Sequence, residues 1–215
     1  CSVGQVFIKD WNAEYIPEGC PPSSLVQLKF PASQKNNAPV KLTWQDGGLR
    51  PFHPDLIPAN DPLGEPNSAN GVILIGTKGI MVCNTYGVNP RIYKNNGEKI
   101  ESPKPTADAT MIKLPENGHQ ARWAEACKTG YGSALHKGLT SSFDFAGPLT
   151  EAILMGNLAI RSYNLRREDP KRANAFLYEG RKKLLWDGTN MKITNFDEAN
   201  QFVKRNYRSG WSLGV

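Results

Sequence analysis

Trp44, Asp46, Arg50 and His53 lie close together, in the stretch KLTWQDGGLRP and just beyond it. An indole can stack on an apolar ligand face. A carboxylate can accept hydrogen bonds from hydroxyls, and an arginine and a histidine can bind or move charge. A structural reading stands beside the functional one: Trp44 as a core residue ending a strand, Asp46 as the acceptor that caps a turn. Asp-Gly is a strong turn signal, because glycine tolerates the positive φ of a tight turn, yet two glycines follow Asp46 where one would suffice. Further along, His119, Trp123 and Cys127 recur at i, i+4 and i+8, so a helix would place them on one face. There too a histidine packed on a tryptophan competes with a binding role. Asp144, between Phe143 and Phe145, is a further acceptor ahead of a helix.

These residues do not add up to a complete catalytic constellation. No strand–glycine loop–helix unit with the dinucleotide pattern is present. Gly130-Tyr131-Gly132 follows a helix and lacks the third glycine. A phosphate-binding Gly-Lys-Ser/Thr loop, a Gly-x-Ser-x-Gly elbow and a His-Glu-x-x-His pair are all missing. The cysteines, Cys1, Cys20, Cys83 and Cys127, form no Cys-x-x-Cys pair and have no histidine at ligand spacing, so no metal site is expected. Cys83 and Cys127 read as core residues.

The elements that position these groups follow from periodicity. Strands are expected at 5–9, 25–30, 40–44, 71–76, 79–83, 91–94 and 98–100, mostly in hairpins, with 71–76 buried. Residues 45–70 form a long loop, and loops of that length in compact domains are more often functional than short ones. Residues 101–115 form another loop, punctuated by prolines. A helix is expected over 117–129, stopped by Gly130. A second should open at Pro148, a favoured first position, with Leu149, Ala152, Ile153, Gly156, Ile160 and Tyr163 as its buried stripe. Residues 164–180 are polar and have the look of an insertion. A strand over 183–186 ends in Asp187-Gly188. Asn195 should cap a third helix, with Glu198 completing a capping box. Strands in hairpins first and helices later make an α+β protein: a large open, mostly antiparallel sheet with helices packed on one face.

Bulk properties bound the function. The chain has 215 residues, 39% of them hydrophobic, and a net charge of +6. Its apolar runs fall short of the roughly 20 residues a membrane span needs. Much of the positive charge sits in segment 161–183, where Glu168, Asp169 and Glu179 are interspersed. A solvated helix end and loop is preferred there over a nucleic-acid surface, since no aromatic stacking pattern accompanies the charge. The first residue is Cys1, with a strand directly behind it. A fragment of a longer protein is the preferred expectation, ahead of a lipidated mature N-terminus or a start with Met removed.

In order, KLTWQDGGLRP, GVILIGTKGIM, HQARWAEACKTG, SSFDFAGPLTEAILMGNLAIR and LLWDGTNMKITNFDEANQFVKRNYRSGW resemble the C-terminal domain of Gfo/Idh/MocA-type oxidoreductases of the bacterial branch, from about Leu25 to Trp211. The resemblance implies that residues 1–215 form a single C-terminal substrate-binding and oligomerisation domain. The N-terminal Rossmann domain that holds NAD or NADP, and the family's Glu-Lys-Pro and catalytic-histidine motifs, are not in this chain. The chain by itself is therefore expected to be inactive, with no catalytic residue and no cofactor of its own. The implied parent is an NAD(P)-dependent dehydrogenase acting on a sugar, polyol or derivative. An NAD-dependent redox-assisted glycosidase and a stand-alone carbohydrate-binding or scaffold module are the alternatives. Trp44, Asp46, Arg50, His53, His119 and Trp123 become candidates for substrate contact. The expected partners are the protein's own Rossmann domain, a sugar-like small molecule and further copies packed through the sheet face; neither nucleic acid nor a membrane span is expected. Cytoplasm and periplasm both fit.

Overall fold

The computed structural model describes residues 2–7 (by backbone alone), 21–34, 37–65, 70–101, 118–205 and 207–211. The expected loop over 101–115 lies almost wholly outside these residues, as do Cys1 and Cys20. The chain divides into two compact units, one of Cys1–Leu49 with Thr129–Val215, the other of Arg50–Lys128. The class is α+β, and every strand pairing among the described residues is antiparallel.

In the first unit, β1 (Ser2–Phe7), β2 (Ser23–Phe30) and β3 (Val40–Gln45) form a sheet in that order. The alternation read from the sequence sets the register: Val26 lies opposite Trp44 and Leu28 opposite Leu42. Helix α3 (Phe143–Ser162) packs over β1 and β2. Val26 and Leu28 are buried, and Gly156 permits the close approach, since a Cβ there would stand 3.6 Å from Val26 Cγ1. The second core of this unit gathers Ala159, Leu184, Ile193, Phe196 and Ala199. Around it lie the two-residue strands β10 (Trp186–Asp187) and β11 (Lys192–Ile193) and a 3₁₀ helix, η1 (Asp197–Phe202). The polar segment expected as an insertion is a hairpin, β8 (Arg167–Glu168) with β9 (Phe176–Leu177). A short helix, α2 (Ala134–Lys137), is capped by the Ser133 hydroxyl.

In the second unit, β4 (Val72–Gly76), β5 (Gly79–Cys83), β6 (Arg91–Lys94) and β7 (Lys99–Glu101) form a meander in chain order. One face carries Ile80, Val82 and Tyr93, buried under Ile57 from the long loop. Helix α1 spans Gly118–Thr129.

Several expectations need correction. Helix α3 opens five residues before Pro148, behind Ser142, whose carbonyl accepts from the Phe145 and Ala146 amides. Pro148 therefore lies inside the helix and leaves one hydrogen bond unmade. Leu149 and Ile153 of its supposed buried stripe are exposed. Asn195 caps no helix. Its side chain accepts from the Leu185 amide at 2.7 Å and donates to the Lys183 carbonyl at 2.8 Å, while Phe196 holds the cap position of η1. Strand β4 is an exposed edge, not a buried strand. Cys83 is buried, but Cys127 is exposed.

Candidate functional site

Asp46 stands at the end of β3, and all its near partners lie in the first unit. Its Oδ1 accepts from the Ser24 amide at 2.6 Å. Its Oδ2 accepts from the Ser24 hydroxyl and from the Trp44 indole Nε1–H, both at 2.9 Å. The Asp46 amide returns a bond to the Ser24 carbonyl at 3.1 Å. The carboxylate thus closes the β2–β3 pair and fixes the indole. The two glycines after it answer a geometric need. Gly47 has φ +64° and Gly48 φ +90°, and a Cβ on Gly47 would stand 2.1 Å from the Pro22 carbonyl oxygen. A side chain at 47 is excluded by space as well as by backbone conformation.

Trp44 is not a core residue. It is 59% exposed, and its neighbours on the same side of β3, Val40 and Leu42, are exposed too. The hydrogen bond to Asp46 pins the indole edge and leaves ring surface open. An exposed aromatic held in one orientation loses little entropy when it stacks on a ligand.

The other candidates belong to the second unit. Arg50 and His53 are exposed, and His53 Nδ1 lies 3.3 Å from the Pro54 carbonyl oxygen. His119, Trp123 and Cys127 do share a face of α1, as the spacing predicts, but that face is open. The buried residues are Gly118 and Ala126, so the packed stripe runs one position away from the one the aromatic suggested. The structure therefore joins Trp44 to Asp46 by a hydrogen bond and leaves Arg50, His53, His119 and Trp123 exposed.

Two polar clusters escaped sequence reasoning. Asp61 accepts from Arg91 through Nε and Nη2, both at 2.8 Å, and from the Tyr93 hydroxyl at 2.5 Å. Burial pushes the Asp61 carboxyl up. The hydrogen bonds from Arg91, Tyr93 and the Leu63 amide, with the charge of Arg91, outweigh it and hold the group well below the usual carboxylate range. Burial together with the Asp61 carboxylate raises the Tyr93 phenol. The cluster ties the long loop to the sheet. In the first unit, the Trp186 indole donates to Glu151 Oε1 at 2.7 Å. A Cβ on Gly188 would stand 2.7 Å from that same oxygen. The only sequence signal for this lock is the glycine directly after Trp-Asp; Asp61 and Arg91 are 30 positions apart and give none.

Among the described residues no group of three His, Cys, Asp or Glu side chains is placed to hold a metal ion. No described helix is long and apolar enough to cross a membrane. The far face of the four-stranded sheet carries Leu74, Met81, Ile92 and Ile100 in direct cross-strand register. At the β4–β5 turn lies a shallow depression of about 640 Å³, lined by Leu74, Thr77, Lys78, Met81, Ile92 and Lys94 among others. No protein-family model and no curated protein matches this sequence.

Proposed function

We propose that this chain is the substrate-side and assembly domain of an NAD(P)-dependent oxidoreductase of the Gfo/Idh/MocA kind, acting on a sugar, polyol or derivative. The observation that carries this reading is Trp44. Its ring is exposed while its N–H is held by Asp46, which Ser24 holds in turn. A fixed, open indole suits the C–H face of a sugar ring, where apolar contact and restricted motion count for more than charge. NAD or NADP would sit on a Rossmann domain outside these residues, which would supply the hydride chemistry. The domain's own part would be to bind and orient the sugar. The apolar row Leu74, Met81, Ile92 and Ile100 supports assembly with further copies through that sheet face, since an aliphatic face of this kind is stable when covered.

Two titrations test the reading. Neutral monosaccharides and polyols should quench tryptophan emission, and Trp44→Ala should weaken binding about tenfold with the fold intact. Calorimetry with NAD and NADP should give binding to the full gene product and none to this 215-residue chain. Dinucleotide binding by neither protein, with sugar binding kept, would favour a stand-alone carbohydrate-binding module, a reading the same indole also supports. Dinucleotide binding by the short chain would overturn the domain assignment.

A further inference from the structure

The end of α3 and the β8–β9 hairpin carry a charge arrangement that sugar binding does not use. Segment 161–183 holds eight basic residues against three acidic ones, nearly the whole net charge of the chain. Two of the acids are paired nearby: Glu179 accepts from Arg167 at 2.5 Å and Asp169 from Arg172 at 2.8 Å. Arg161, Arg166 and Arg181 have no carboxylate partner among the described residues. Aromatic rings hold them instead, a pattern the sequence did not disclose. The Arg166 guanidinium lies 4.1 Å from the Phe176 ring centre, and its Nη1 donates to the Tyr178 hydroxyl at 3.5 Å. Arg181 lies 3.6 Å from the Tyr178 ring and 5.0 Å from that of Tyr163. Arg161 lies 4.4 Å from the Phe202 ring. Stacking occupies the guanidinium faces of Arg166 and Arg181 and leaves their in-plane N–H groups, other than the one Arg166 gives Tyr178, directed outward from the rings.

An independent observation points to the same helix end. Arg161 Nε and Asn164 Nδ2 are sealed from solvent and have no hydrogen-bond partner. A buried donor left unmatched costs about 1–3 kcal/mol, and such groups are rare. Both are donors, about one helical turn apart, and Tyr163 between them carries Arg181 on its ring. The hairpin is tied to this place through the Gly180 amide, which donates to the Leu165 carbonyl at 3.3 Å. The partial negative charge of a helix C-terminus draws cations there but does not satisfy their N–H groups. The missing complement is an acceptor, and the surrounding positive charge favours an anionic one.

We propose that the end of α3 and the β8–β9 hairpin bind an oxyanion group, a phosphate or carboxylate, on a small ligand. The forks of Arg166 and Arg181 are set by their aromatic partners and suit bidentate contact. Glu168 and Asp169 on the hairpin would repel an extended polyanion, which restricts the site to a compact group.

The test is a titration of the 215-residue chain with inorganic phosphate, read by NMR at the arginine Nε–H signals. The signals of Arg161, Arg166 and Arg181 should move together and saturate at one midpoint, while that of Arg91, held by Asp61, stays fixed. Arg181→Ala should raise the midpoint about tenfold, and so should Arg181→Lys, which keeps the charge but loses the fork. Acetate in a parallel titration separates the two sources: the ion with the lower midpoint identifies the group. Linear, unsaturating shifts with both ions, a fixed Arg161 signal, or full affinity in Arg181→Lys would each overturn the proposal. So would saturation by a single-stranded oligonucleotide alone.

Discussion

At the scale of single residues, polar side chains lock the structure and one aromatic is left open by a lock. Asp61 is the strongest electrostatic case. Its carboxyl is held below the ordinary value of 3.8, so its contribution is present above that pH and is lost as pH falls through and below it. Asp61→Asn should cost about 3 kcal/mol at neutral pH, because Arg91 keeps a buried charge without its partner. Urea midpoints followed from neutral into acid should show the gap to the wild type closing; a constant gap would mean the titration of Asp61 carries no stability. Asp46 acts through geometry. Asp46→Ala removes three accepted bonds and should lower stability by about 2 kcal/mol, since the Ser24 amide is left unmatched. It should also weaken sugar binding as Trp44→Ala does, because a released indole must be ordered again on contact. Sugar affinity unchanged in Asp46→Ala would separate the turn from the platform.

At the scale of elements, the contacts between helix and turn are decided by space. Gly188 leaves room for the Glu151 carboxylate, and Trp186 holds that carboxylate by its indole N–H. Gly188→Ala should force the flexible end of Glu151 aside and break the bond, at about 1–2 kcal/mol. The loss should appear in chemical denaturation, with red-shifted tryptophan emission. Gly188→Ala as stable as the wild type, with unshifted emission, would show that the turn can relax without giving up the contact. Strand positions were legible in the sequence: alternation in Leu25–Phe30 matches a strand with one buried face, and in Val40–Trp44 the same period marks the strand although its apolar side stays exposed. Helix boundaries were less so. Pro148 reads as a helix start, but the helix already opens at Phe143, with the Ser142 carbonyl accepting from the Phe145 and Ala146 amides and Asp144 in its first turn, and it runs on past one missing hydrogen bond. Asn195 reads as a cap because its own backbone neighbours and those of the segment at Lys183 and Leu185 offer it the same kind of partner.

At the scale of the whole molecule, the four-stranded sheet has one face filled by the long loop and the other left apolar. If copies pack through that second face, a charge placed on it must be buried in the assembly or break it. Leu74 is exposed on the edge strand, so Leu74→Lys should leave the folded chain intact and raise the dissociation constant of the assembly about thirtyfold. Sedimentation velocity across a concentration series reads this directly. A variant that assembles as the wild type does would move the interface elsewhere.

The sequence by itself determined where most strands of the two larger sheets lie, the α+β class and the turn at Asp46-Gly47-Gly48. Each of these depends on neighbours along the chain, through side-chain period or backbone conformation. Only the tertiary structure decided that Trp44 and Trp123 are open, that Asp61 pairs with Arg91 and Tyr93, and that arginines stack on Tyr163, Phe176 and Tyr178. Exposure and pairing of this kind depend on segments far apart in the chain, and no local period encodes which distant surface covers a side chain and which leaves it bare.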